Sequence, residues 1–126
     1  MNKYTPKLIF LLVISLCLVV LSTCKKLERK MLVSTGEVTN ILIHSADVSG
    51  LVVDIGDGAT QRGHCYGTSA NVNIDGLKTQ LGAPSGPGGF TSQLTNLDAG
   101  TKYYIKAYIT DGAETVYGKE INFTTS

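Results

Sequence analysis

Leu97-Asp98-Ala99-Gly100-Thr101-Lys102-Tyr103-Tyr104-Ile105-Lys106-Ala107-Tyr108 (LDAGTKYYIKAY) opens the best strand in the chain. Its second half, continued to Thr110, is rich in aromatic and β-branched residues and alternates, so it predicts a strand over Lys102 to Thr110. Successive strand side chains point to opposite faces. If Tyr103 faces inward, Ile105, Ala107 and Ile109 do too, and Tyr104, Lys106 and Tyr108 face out.

The chain after Lys30 shows no sustained helical periodicity. Short runs rich in Val, Ile, Thr and Tyr are broken about every eight to twelve residues by Gly, Asn or Asp, which is the spacing of an all-β sandwich or barrel. Strands are expected at Leu32 to Ile43 (bent near Thr39-Asn40), Asp47 to Ile55, Thr60 to Tyr66, Phe90 to Leu94 and Thr115 to Thr124, with a short edge strand at Asn71 to Ile74. Gly82 to Gly89 (GAPSGPGG) holds too much Gly and Pro for a strand interior and reads as a loop. About seven strands in this length suit an immunoglobulin-like antiparallel sandwich. No internal repeat is present.

The stretch first quoted resembles a fibronectin type III domain. Leu97, Gly100-Thr101 and Tyr103 look like its tyrosine corner, in which the Tyr hydroxyl bonds back to the backbone. The resemblance extends to a variant common in Bacteroidetes through Arg62-Gly63-His64-Cys65-Tyr66, Gly88-Gly89-Phe90-Thr91-Ser92, Val116-Tyr117-Gly118 and Phe123-Thr124-Thr125. Ala99 stands where the family usually has Pro, and Lys106 where it usually has Arg. The resemblance implies a module over 31–126 and no particular activity.

The N-terminus carries a different signal. Lys3 and Lys7 precede Leu8 to Leu21, an uncharged apolar run of 14 residues, whereas a spanning helix needs roughly 20. Such a run after a basic start reads as a secretory signal peptide. Leu21-Ser22-Thr23-Cys24 resembles the lipobox of bacterial lipoproteins, although Thr23 departs from the commoner Gly, Ala or Ser. The resemblance implies a signal peptide over 1–23, cleavage before Cys24, and a covalent lipid on the Cys24 thiol. The alternative is an uncleaved signal anchor with Cys24 a bystander. Residues 24–30 then form a tether with Lys25, Lys26, Arg29 and Lys30 against Glu28, a local net of +3. The tether would rest on anionic head groups or serve as a solvated linker.

Charge excludes some partners. The 126 residues carry a net charge of +1, with no basic field and no motif for nucleic acid. Met31 to Ser126 holds five basic residues against nine acidic ones, a net of −4.

Residues able to do chemistry are few. With Cys24 acylated, Cys65 has no intramolecular disulfide partner. His64 and Cys65 are neighbours on a strand and point to opposite faces, so they make no catalytic dyad. Cys65 is expected to be a small core residue. His44 and His64 are the only histidines; they lack further ligands at zinc spacing and read as surface residues. The Asp54 to Gly58 segment lacks the ligand alternation of a calcium loop, and Asp57-Gly58, Asp75-Gly76 and Asp111-Gly112 read as turns. The Gly82 to Gly89 loop is not set between a strand and a following helix, so it lacks the phosphate-binding frame.

A binding face is the best functional candidate. Gly63 and Cys65 are placed inward and Arg62, His64 and Tyr66 outward, beside Tyr104, Lys106 and Tyr108 of the neighbouring strand. Tyr and Arg are enriched in binding surfaces. The same cross-strand pairs can simply stiffen an exposed sheet face, and that plainer reading is preferred. The expectation is a non-enzymatic lipoprotein of the cell envelope, lipid-anchored in the outer membrane, that binds another envelope protein or serves as an accessory subunit. The alternative is a surface adhesin or glycan-binding lipoprotein. No cofactor is expected beyond the lipid.

Overall fold

A computed structural model describes residues 29–126; the expected signal peptide over 1–23 and the expected lipid attachment at Cys24 lie outside the described residues. Eight strands follow in order: β1 (Met31–Thr39), β2 (Ala46–Ile55), β3 (Gln61–Gly67), β4 (Leu77–Lys78), β5 (Gly88–Leu94), β6 (Lys102–Thr110), β7 (Thr115–Tyr117) and β8 (Ile121–Thr124). They form two antiparallel sheets. One has the order β1-β2-β5, and the other the order β4-β3-β6 with both β7 and β8 on the far side of β6. This is the immunoglobulin-like β-sandwich.

The core follows from alternation. On β2, Ala46, Val48, Gly50 and Val52 are buried while Leu51 and Val53 are exposed. On β6, Tyr103, Ile105, Ala107 and Ile109 face the other sheet and fill two clusters. One holds Val52, Phe90 and Ile109; the other holds Val48, Leu94, Ile105 and Phe123. Fully buried Leu94 and Ile105 each stabilise the fold by roughly 1.5–3 kcal/mol. Gly50 leaves room for Phe90: a Cβ at Gly50 would come within 2.7 Å of the ring.

Three expected boundaries moved. The first strand ends at Thr39, because Asn40 takes a φ of 50° and turns the chain, leaving Ile41, Leu42 and Ile43 in an exposed loop. The short edge strand lies at Leu77–Lys78 instead of Asn71 to Ile74, since Asn71 adopts a φ of 65° and its N–H donates to the Glu120 carboxylate. The last strand is broken. It pairs with β6 at Thr115–Tyr117 and again at Ile121–Thr124. At the break, Gly118 approaches β1 so closely that a Cβ there would lie 2.7 Å from the Thr35 nitrogen.

The Tyr103 corner closes the lower part of this sheet. The Asp98 N–H donates to the Tyr103 hydroxyl at 2.7 Å, and the ring stacks on Phe123 with centroids 5.8 Å apart.

Strand directions give the sandwich two distinct ends. The chain enters at Arg29–Met31 beside Gly56, Asp57, Asp111 and Glu114. Nine-residue strands rise about 3.3 Å per residue, so the opposite end lies roughly 30 Å away. That far end carries the β1–β2, β3–β4 and β5–β6 connections and Ser126.

Candidate functional site

The expected binding face divides between the two sides of its sheet. Residues directly paired across antiparallel strands share a face. His64 pairs with Ala107, Tyr66 with Ile105 and Arg62 with Ile109, so Arg62, His64 and Tyr66 belong to the inner side. Gly63 and Cys65 belong to the outer side, with Tyr104, Lys106 and Tyr108. The sequence expectation for β3 is therefore reversed by one residue.

His64 is the clearest correction. It is 0% exposed. Its Nε2 donates to the Ser49 carbonyl at 2.9 Å, which leaves Nδ1 to accept from the Ser92 hydroxyl at 2.7 Å. Ser92 Oγ lies 2.7 Å from Thr79 Oγ1, and Thr79 Oγ1 accepts the His64 backbone N–H at 2.9 Å. The result is a closed ring of hydrogen bonds that ties both sheets and the β4–β5 connection together. Burial disfavours the charged imidazole, and only the Ser49 carbonyl opposes this, so its pKa falls from 6.5 to about 4. The group is neutral and structural.

Arg62 is also drawn inside. Its guanidinium sits 5.8 Å from the Phe90 ring centroid and donates to the Gly82 carbonyl at 2.8 Å. With the Gln61 side chain accepting the Gly82 N–H, it pins the start of the Gly-rich loop.

The outer side of the sheet is roofed rather than open. The segment after β3 folds back across it, and Tyr108, expected on the surface, is 1% exposed. The Tyr108 hydroxyl donates to the Thr79 carbonyl at 2.6 Å, and desolvation raises its pKa to about 12. Cys65 packs with Val72 and Tyr108 beneath the roof. Desolvation outweighs the pull of Lys106 and Lys78 and pushes its thiol up to about 11. Cys65 is a core residue, on the side opposite to the one expected. Gly63 marks the same close approach, since a Cβ there would meet the Thr79 hydroxyl at 2.7 Å. Of the expected face, His64 and Tyr108 are fully buried, Arg62 and Tyr66 are half-buried on the inner side, and Tyr104 and Lys106 are half-buried on the outer side. Lys106 Nζ lies 4.5 Å from the Tyr117 ring centroid and Lys102 Nζ 5.2 Å from that of Tyr104. Those contacts stiffen the face.

Sequence reasoning missed the far end of the sandwich. A cleft of about 480 Å³ opens there between the β3–β4 and β5–β6 connections. Tyr66, Thr68, Asn71, Asn96, Asp98 and Tyr103 are among its lining residues. Its walls are fixed. The Glu120 carboxylate accepts the Asn71 N–H at 2.8 Å, and the Leu97 N–H donates to the His44 carbonyl at 3.0 Å. His44 itself is exposed at this end, with Nδ1 2.8 Å from the Leu97 carbonyl oxygen. That pairing joins the cleft to the apolar loop Ile41–Leu42–Ile43. The signal in the sequence was faint: three apolar residues that fit the preceding strand, and Asn residues at turns.

No group of three or more His, Cys, Asp and Glu residues placed to hold a metal ion occurs among the described residues. No protein-family model and no curated protein matches the chain. Among solved structures it is similar to the sensor domain of the anti-sigma factor RsgI4 of Pseudobacteroides cellulosolvens. The solution structure of that domain superposes with a TM-score of 0.59 at 17% identity, covering 76% of this chain and 75% of that one. A short form of the same domain gives 0.57 at 17% identity, covering 75% and 93%. A redesigned β-sandwich protein gives 0.50 at 20% identity, covering 79% and 93%. These likenesses concern the fold.

Proposed function

We propose that this chain is a lipid-anchored, non-enzymatic interaction module of the cell envelope, held at the outer membrane through Cys24 and presenting its far end to a protein partner. The observation that carries the reading is the polarity of the sandwich. The tether enters at one end, and the exposed Leu42 and Ile43 stand at the other, 59% and 52% accessible. Exposed apolar side chains gathered at a loop tip suit a partner surface. The same general fold serves as a sensor domain in RsgI4, which is compatible with a recognition role. The fibronectin type III likeness of the sequence points the same way.

The test has two arms. Cys24→Ala should release the protein from membranes or block its processing, and the wild-type Cys24 peptide should carry the mass of attached lipid; unchanged membrane retention would overturn the anchor. A photo-crosslinking residue at Leu42 should give a discrete adduct with one envelope protein, whereas one at Asp57, beside the tether, should not. Equal labelling from both positions would overturn the far-end reading. A second reading, a glycan-binding surface lipoprotein, is favoured by the cleft beside that loop.

A further inference from the structure

We infer that the far-end cleft between Asn71 and Asn96 is a carbohydrate site that takes a neutral, hydroxyl-rich glycan. The inference rests on the second reading above and gives it a place and a ligand class.

Size and shape come first. About 480 Å³ falls within the range of sites for small ligands or for the end of a longer chain. The cleft is preformed, because both of its walls are pinned by the hydrogen bonds of Asn71 and Leu97. A fixed site loses little freedom when a ligand arrives.

The chemistry of the lining narrows the ligand. Among the described residues, the side chains of Tyr66, Thr68, Asn71, Asn96 and Asp98 line the cleft and make no hydrogen bond to the protein. Asp98 spends its backbone groups on Tyr103 and Thr125, which leaves its carboxylate for another partner. An amide offers two donors and an acceptor side by side, a carboxylate offers acceptors only, and a sugar hydroxyl both donates and accepts. Two amides, one carboxylate and two hydroxyls therefore match a row of ligand hydroxyls. Tyr66, half-buried with its ring packed against the core cluster of Leu97 and Tyr103, adds an aromatic edge and a hydroxyl to the cleft lining.

Charge excludes the competing classes. No Lys or Arg lines the cleft, so phosphate, sulfate and uronate would meet a carboxylate and no countercharge. A wholly apolar ligand would strip water from five polar side chains and return no hydrogen bonds.

The backbone supplies a clean test. Asn71 and Asn96 sit at φ values of 65° and 56°, a region glycine occupies without strain. Asn71→Gly/Asn96→Gly removes both amides and leaves the loop geometry intact. The full-length protein, solubilised in detergent, is applied to a printed array of neutral, uronic-acid-containing and sulfated oligosaccharides. The strongest neutral binder is then titrated calorimetrically. We expect binding confined to neutral glycans, weakened at least tenfold in the double variant with its melting temperature within a few degrees of wild type. Asp98→Asn, which keeps the N–H bond to Tyr103, serves as a second variant and should also weaken binding. An empty neutral panel, preference for the anionic panel, or undiminished binding in both variants would overturn the inference. A Leu42 adduct with an envelope protein beside an empty array removes the site and leaves the anchored module standing. Glycan binding without lipid on Cys24 removes the anchor and leaves the site.

Discussion

Acidification should destabilise this protein through one imidazole. His64 holds a pKa of about 4 in the fold against 6.5 when free. Between those values the unfolded chain binds a proton that the folded chain refuses, so stability rises with pH across that interval. The full separation is worth about 3 kcal/mol, at about 1.4 kcal/mol per unit. That share is complete above pH 6.5 and is lost as pH falls toward 4. It is a large part of the 5–15 kcal/mol typical of a domain. Urea unfolding followed by far-UV circular dichroism, at half-unit steps from pH 7.5 to 4, measures the slope. Asp54 and Asp111 are also held below the usual carboxylate range, each chiefly by a backbone N–H bond, from Gly56 and Glu114 respectively. Their effect appears below the window of the imidazole. His64→Leu is the control: it should cost about 1–3 kcal/mol at pH 7 by taking the imidazole away from the Ser92 hydroxyl and the Ser49 carbonyl, and should abolish most of the slope between pH 6.5 and 4.5. A flat wild-type profile in that window, or an equal slope in His64→Leu, would mean that the buried imidazole does not set the pH dependence.

Tyr103→Phe removes the hydroxyl that accepts the Asp98 N–H at 2.7 Å and should destabilise the fold by about 1 kcal/mol or more, read from the same urea midpoints; an unchanged midpoint would mean the corner bond contributes nothing. Cys65, buried beneath the roofing segment with its thiol pushed up to about 11, should react with a disulfide reagent far more slowly in the folded protein than in urea, and comparable rates would show that the roof opens readily.

The layers and most strands were legible because burial on one face leaves a period of two. β2 is the plain case, with Val48, Gly50 and Val52 inside and Leu51 and Val53 outside. The reading failed on β3 for a physical reason. Gly63, His64 and Cys65 are all buried, so polarity there no longer tells which side is which, and a one-residue error reverses every side chain. The buried His64 is tolerated inside only because Ser49, Ser92 and Thr79 satisfy it, and no local pattern announces partners drawn from three other segments. Gly63 was the available clue: a glycine within a strand often marks another backbone close by. Loop positions were the least legible. The left-handed Asn40 and Asn71 cut or displaced expected strands, and the cleft is assembled from connections that meet only after both sheets have formed.

Thr35 bears on how crowded copies behave. Its hydroxyl accepts the Ala107 N–H at 3.0 Å, and Gly118 packs against it while its own N–H donates to the Ala107 carbonyl at 2.9 Å. An outer strand of one layer is thus stitched to the middle strand of the other, at the point where the last strand breaks. Unpaired strand edges recruit neighbouring chains. If molecules are confined to a bilayer plane, as the proposed anchor would make them, collisions between edges become frequent. The stitch draws β1 toward its own opposite layer, and so shields against such two-dimensional crowding an edge that would otherwise be offered to the next copy.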